Sequence, residues 1–451
     1  MSTEKPETGT ESAPQLRRVL GVPSLVLFGL VYMVPLTVFT TYGIVTQLTG
    51  GRVAGAYLVT LVVMLFTARS YARMAAAYPS AGSAYVYTQR TLGPEVGFIA
   101  GWSLMLDYLF LPMINYLVIG IYLHAALPAV PQWVFVLASI VVVTVLNIVG
   151  IVSVNRTNSI LLAVQAVFVV VFAALVFGSI SGGTVDPVAP FVGDGSVEGP
   201  GPLFAGAAIL CLSFLGFDAV STLAEEAKEP TKNVPRAIMI VTFGAGVMFV
   251  VLSWLAQAVH PSTSFADPDS ASVEVMMSAG GQFLATFFTA AYCAGALGSA
   301  ITSQASVSRI LYSMGRDGVL PRPVFGHLHE RFKSPARATL IVSVVSLTAL
   351  IAPLDVVASM VSFGALIAFS FVNIAVLKHY FIDRKERSGI AVLNNLVLPV
   401  IGFGLTLWLW TSLSGLTFVI GLSWAALGFI LLLVVTRGFR RRAPMLALDE
   451  H

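Results

Sequence analysis

Apolar residues run along the chain in stretches of about 20, each closed by a short polar interruption. A helix rising 1.5 Å per residue needs about 20 apolar residues to cross the ~30 Å hydrocarbon layer of a bilayer. The pattern therefore predicts membrane-spanning helices, at approximately 22–49, 53–77, 96–126, 132–151, 157–181, 202–225, 235–260, 281–311, 336–353, 356–380, 393–412 and 415–436. Strands of a membrane barrel are about 10 residues long and alternate in polarity, so runs of this length exclude one. The expected fold class is an all-α integral membrane protein with 12 transmembrane helices.

Two of these runs are interrupted at mid-depth. In the first, Pro35 removes a backbone donor and disfavours helix at Val34. In the sixth, Gly216 and Asp218 stand at a similar depth. The two breaks are five helices apart. Interrupted helices at matching positions of two halves point to an inverted-repeat transporter, whose freed backbone groups and half-helix ends line a midplane site.

Composition and charge sharpen the picture. The 451 residues are 57% hydrophobic and only 10% charged, which excludes an ordinary soluble protein, and the 39 glycines and 23 prolines suit membrane helices. Of 25 Lys and Arg residues, 24 fall in one alternating set of segments and only Arg52 in the other. Basic short loops stay in the cytoplasm, so both termini are expected on the cytoplasmic side. The opposite loops carry Asp186, Asp194, Glu198, Asp267, Asp269, Glu274 and Asp355, an acidic face that attracts cations; the same sorting of Lys and Arg would also leave those carboxylates unbalanced. Residues 1–20 are polar and read as a disordered cytoplasmic tail, not a cleavable signal peptide, and 437–451 as a basic cytoplasmic tail.

Ionisable groups at depth are costly, about 2.5 to 3.5 kcal/mol for an acid at a helix centre. Asp107 in the third span and Asp218 at the sixth-span break are the candidates, and no Lys or Arg is placed at comparable depth. Such a pair must be protonated, bound to a metal cation, or neutralised by a cationic substrate. A carboxyl of this kind can exchange a proton for an amine as the site opens to either side, making both residues proton-coupling candidates. Two structural roles compete: Asp107 as a protonated acid bonded to a neighbouring helix, and Asp218 as a cap on the half-helix after Gly216. Tyr32, Tyr108, Phe214, Phe217 and Tyr292 lie near the same depth and could face an ammonium group. Glu225 and Glu226, at the inner end of the sixth span, suit a cytoplasmic gate or loop partners for Lys228, Lys232 and Arg236.

Other chemistry is not indicated. Cys211 and Cys293 fall within apolar runs as packing residues, and the six histidines lack metal-ligand spacing. No HExxH, P-loop or GxSxG motif suggests an enzyme, and neither a cofactor, a resident metal nor nucleic acid is expected.

The stretch from Ser213 to Ile238, SFLGFDAVSTLAEEAKEPTKNVPRAI, resembles the sixth-helix signature of the amino acid, polyamine and organocation transporters. Ser306 to Pro321, SVSRILYSMGRDGVLP, resembles their segment after the eighth helix. Within that superfamily the chain looks most like bacterial putrescine importers, on VPLTVF from Val34, AGSAY from Ala81, LDYLFLPMIN from Leu106 and the sixth-helix run. The resemblance implies a LeuT-type fold of five plus five inverted helices, 21–181 and 202–380, followed by two more over 393–436. It also implies secondary active uptake, coupled to protons. From their depth and chemistry, Tyr32, Thr37, Asp107, Tyr108, Phe214, Asp218 and Phe217 around the Pro35 and Gly216 breaks are the expected substrate-binding residues of a transporter working by alternating access.

Two departures from the amino acid transporters bear on substrate and coupling. Their first break is commonly glycine-rich, exposing N–H groups to the substrate carboxylate, whereas Val34-Pro35-Leu36-Thr37 has no Gly-x-Gly. Two acids without a carboxylate cradle suit a putrescine-like diamine; a proton-coupled amino acid permease is the alternative. Some members carry a lysine midway along the fifth helix where others bind sodium, and here that place is Gln165. Proton coupling would then fall to Asp107 or Asp218, while Ser299 and Ser303 leave sodium as an alternative ion.

Overall fold

The computed structural model describes residues 18–80, 83–149, 154–180, 186–224, 226–316, 320–332 and 334–441. The expected tails at 1–20 and 437–451 lie largely outside these residues. The helices in chain order are α1 (Val22–Met33), α2 (Tyr42–Thr49), α3 (Val53–Ala77), α4 (Ser83–Leu92), α5 (Pro94–Ala126), α6 (Gln132–Val149), α7 (Val154–Ile180), α8 (Ala189–Val192) and α9 (Gly201–Leu210). They continue as α10 (Pro230–Val259), α11 (Ala271–Arg316), α12 (Arg322–Phe325), α13 (Ala336–Ser346), α14 (Leu354–Val376), α15 (Ile390–Val392), α16 (Leu398–Thr411) and α17 (Gly415–Val435). Among the described residues there is no strand, only an isolated bridge between Leu20 and Ala227.

Eleven of the helical segments are long and apolar enough to cross a membrane, and the protein is a multi-pass helical membrane protein. The expected ninth span, 336–353, is the exception to twelve full-length spans, because its apolar helix covers only Ala336–Leu350. Its last turn, Leu347–Leu350, is 3₁₀ helix. The longer rise of that form brings the segment to about 25 Å. A buried polar network fixes this short helix in the bundle. Asn147 of α6 donates to Gln304 of α11 at 2.8 Å, and Gln304 donates in turn to Ser343 of α13 at 2.7 Å.

Two other features differ from the hydropathy reading. The region between the second and third spans contains α4, whose buried tyrosines and threonines make it too polar to register as an apolar run. The eighth span begins near its expected residue, but the helix starts ten residues earlier and kinks at Gly280 and Gly281.

The last helix is locked to the middle of the bundle by a reciprocal pair. The indoles of Trp102 in α5 and Trp424 in α17 stack at 4.8 Å, and each N–H donates to the other residue's carbonyl at 2.8 Å. Gly428, one turn beyond Trp424, permits this approach, since a Cβ there would lie 2.2 Å from Cδ1 of Trp102. Gly428→Val should therefore displace the indole and lower stability by about 1 to 3 kcal/mol. Trp102→Phe, which keeps a ring but loses one hydrogen bond, should cost about 1 kcal/mol for that bond. Thermal unfolding in detergent micelles would check this order.

Candidate functional site

Both interrupted helices are broken where the sequence places the interruptions. Helix α1 ends at Met33; Val34 takes φ 52°, and Pro35–Phe39 continues as 3₁₀ helix before α2. A β-branched residue rarely adopts positive φ, so this turn carries about 1 to 3 kcal/mol of strain held by its surroundings. On the other side, α9 passes into 3₁₀ helix at Cys211–Phe214, Leu215 is extended, Gly216 has φ 132°, and a second 3₁₀ turn covers Ala219–Leu223. Only glycine suits that dihedral, and a Cβ there would meet Met33 Cγ at 2.9 Å and Met33 N at 3.0 Å. The two breaks thus touch.

Freed backbone groups are partly claimed from within. Thr37 Oγ1 donates to the carbonyls of Met33 and Val34, at 2.7 and 2.6 Å. The Leu36 N–H donates to Gln165 Oε1 at 3.4 Å, so the buried glutamine of the fifth span lies against the first break. Asp218 does not cap the helix after it. Its Oδ1 accepts from the Gly216 N–H at 3.2 Å, back across the break, and the side chain makes no capping bond to the following turn.

Asp107 in α5 and Asp218 are 5% and 4% exposed, and they are the only buried carboxylates among the described residues, where no Lys or Arg is buried. Asp107 Oδ1 has no hydrogen-bond partner. The two acids are within electrostatic range of each other and of Tyr32 and Tyr108. Three rings close this cluster: Tyr71 of α3 packs on Phe217 at 5.5 Å and on Phe369 of α14 at 5.7 Å, and Phe217 meets Phe369 at 5.2 Å. Tyr71 and Phe369 escaped the sequence reading because they come from unbroken spans; a hydroxyl deep in the second apolar run was the only available signal.

Two small cavities adjoin the cluster. One, about 40 Å³, lies between Tyr32, Leu111, Gln165 and Ser299, and the other, about 30 Å³, between Tyr32, Thr37, Asn115, Leu215, Tyr292 and Ser299. Asn115 donates to Ser299 at 3.1 Å, joining α5 to α11 at the wall common to both. Tyr32, Thr37 and Tyr292 thus face cavities, while Asp107, Asp218, Tyr108 and Phe217 stand in the adjacent closed cluster. Phe214 points elsewhere and packs on Phe249 of α10 at 5.4 Å. Toward the acidic loops the cavity is covered by Tyr292, bonded to Thr40 and packed on Tyr122, and by Phe39, whose ring meets Phe288 of the same aromatic group.

At the arginine-rich end the chain segments flanking the two broken helices are tied by main chain alone. The N–H groups of Val19 and Leu20 donate to the Glu226 carbonyl at 2.9 and 3.0 Å, and the Lys228 N–H donates to the Leu20 carbonyl at 2.8 Å. Glu225 lies outside the described residues. Among those described, no group of three or more His, Cys, Asp or Glu is arranged to hold a metal ion.

Sequence comparison assigns the lineage. The family model for amino acid permeases matches residues 25–442. The chain belongs to that amino acid permease family. It is 38% identical over 444 residues to the low-affinity putrescine importer PlaP of Escherichia coli strain K12, covering 97% of this chain and 98% of that protein. It is 29% identical to the branched-chain amino acid permease BcaP of Bacillus subtilis, over 95% of both chains, and 27% identical to a methylthioribose transporter of the same organism, over 94% of both. This permease is accordingly a transporter and not an enzyme.

Two outcomes follow from the geometry. Gly216→Ala should abolish transport by this permease, because the break cannot keep its dihedral, whereas Val34→Gly, which relieves a strained φ, should retain it; uptake by the two variants in proteoliposomes decides. In the acidic loops, burial and then the carboxylates of Asp267 and Asp355 push Asp269 up to about 6. An unfolded aspartate titrates near ~3.9, so this group's contribution to stability is complete below about pH 4 and is lost as pH rises through about 6. Asp269→Asn should melt higher than the native protein at about pH 7.5, with the difference closing toward about pH 4.

Proposed function

We propose that this permease imports putrescine or a closely related aliphatic diamine across the bacterial cytoplasmic membrane, by proton symport and alternating access. The observation carrying the reading is the pair of buried acids, Asp107 and Asp218, with no buried cation beside them. Two carboxylates desolvated together are held by a proton, an ammonium group or both, and exchange between these is the coupling step. Each acid then receives one end of the diamine or its proton in turn. Tyr32, Tyr108 and Phe217 offer ring faces to the ammonium groups, Thr37 and the carbonyls at the Pro35 and Gly216 breaks offer oxygen, and Phe214 buttresses the sixth-span break through Phe249.

The contact of the two breaks supports the inverted-repeat reading, in which the first and sixth helices meet at the pseudo-symmetry axis. The occupied Leu36 N–H favours a substrate without a carboxylate, since Gln165 already takes one of the amides such a group would need. The similarity to PlaP agrees with a small cationic substrate. Positive-inside sorting supports a cytoplasmic location for both termini, and with it an inner-gate role for Glu225 and Glu226.

Asp107→Asn and Asp218→Asn should each lower kcat/KM for labelled putrescine by about 30-fold or more, the cost of leaving a buried ammonium unpaired. The assay is uptake into proteoliposomes under an inward proton gradient, an inward sodium gradient or neither, with lysine, ornithine and neutral amino acids as competitors. Saturable, proton-driven uptake that neutral amino acids leave unchanged is the expected result. Accumulation of an amino acid in place of putrescine, or normal uptake by both variants, would overturn the assignment.

A further inference from the structure

A groove of about 480 Å³ opens at the arginine-rich end of the bundle, between the last turns of α3 and the first turns of α10. Arg69, Arg73, Arg236 and Thr231 line it together with Met239 and Ile240. Arg73 stacks on Tyr380 with its guanidinium 3.9 Å from the ring centre and reaches Glu386 at 3.8 Å, yet its buried Nε has no acceptor. Arg69 donates to the neutral side chain of Asn394 at 2.7 Å. Among the described residues no carboxylate lies within ion-pair distance of Arg69 or Arg236. Among the described residues no acid lines the groove; of those nearby, Glu386 is shared between Arg73 and Arg384, and Glu229, near Arg236, is bonded to Lys232 at 2.9 Å. Three guanidiniums therefore converge with a surplus of positive charge.

What continues from the groove identifies the occupant. Ile240, Phe243, Val247 and Val251 of α10 are 50%, 57%, 40% and 46% exposed, and their spacing of three and four residues puts them on one helix face. This stripe begins at the groove and runs into the membrane-spanning part of α10, where the exposed surface is lipid. A ligand with an anionic head at the arginines and hydrocarbon along the stripe satisfies both halves. The N-terminus of α10, with its partial positive charge, lies at the same end and favours an anion.

We infer that this groove is a binding site for an anionic phospholipid, whose phosphodiester is held by Arg69, Arg73 and Arg236 while its acyl chains lie along the exposed face of α10. The charge-assisted bonds join α3 to the start of α10, next to the segment tied to Leu20. Basic pockets between helices at a membrane surface recognise anionic headgroups in this way, through charge-assisted bonds from the guanidinium groups.

Native mass spectrometry of the full chain, titrated with phosphatidylglycerol or phosphatidylcholine of matched chains, tests the site. Phosphatidylglycerol should bind more tightly, and the Arg69→Gln/Arg236→Gln variant should weaken it by about 10- to 30-fold. The Arg387→Gln/Arg440→Gln variant, with the same charge removed outside the groove, should leave it unchanged. Both variants carry their changes on exposed side chains, and unchanged melting in phosphatidylcholine micelles confirms that they are folded. If Arg69→Gln/Arg236→Gln destabilises the protein, Arg236→Gln alone serves, with a fall of about fivefold expected. Equal weakening by the two double variants, no preference for phosphatidylglycerol, or equally tight binding of soluble glycerol phosphate titrated in the same way would each overturn the inference.

Discussion

A carboxylate removed from water must acquire a positive partner or a proton, and this constraint organises the centre of the molecule. Asp107 and Asp218 meet it beside two interrupted helices, where unpaired main-chain groups also need partners. The two demands are solved together. Gly216 turns the sixth-span backbone so that its own N–H satisfies Asp218, and the same turn brings it against Met33 at the end of α1. Hydrocarbon would fill such a region at less cost; here the polarity is retained, and the proposed exchange of a proton for an ammonium group is a use for it.

Much of this was legible in the sequence, for identifiable reasons. The spans follow from run length because a bilayer imposes one helix length on every crossing, and the breaks at Pro35 and Gly216 follow from local backbone chemistry. The acids Asp107 and Asp218 stood out because nothing else ionisable shares their depth. The direction of the Asp218 hydrogen bond was not legible, since a carboxylate two residues after a glycine can bond forward as a cap or backward across the turn, and only the dihedral at Gly216 decides. The aromatic closure was equally hidden: Tyr71, Phe217 and Phe369 are about 150 residues apart in sequence, and their meeting is a property of packing. Helix α4 was missed because burial by neighbouring helices lets a polar segment be internal without an apolar run. The ninth span, shortened to Ala336–Leu350, shows the same limit, as the Asn147–Gln304–Ser343 network substitutes for hydrocarbon length.

The bundle divides its polar groups by purpose. The network around Gln304 and the Trp102–Trp424 pair are satisfied internally and fix helices to one another. Around Asp107 the bonding is incomplete. Completed networks rigidify and incomplete ones leave capacity for a further partner, so the ties between helices and the surroundings of Asp107 differ in how fully their hydrogen bonds are made.

The main-chain tie between Val19, Leu20, Glu226 and Lys228 has a consequence for how a passage can form at that end. Its bonds use no side chain, so any substitution at these four positions other than to proline leaves the donors and acceptors in place. Parting the two segments would strip three amide bonds at once, and only water could replace them. Either the two segments travel as a single hinged unit, or they part only where water reaches these amides, so that wetting of this end and its mechanical opening are coupled.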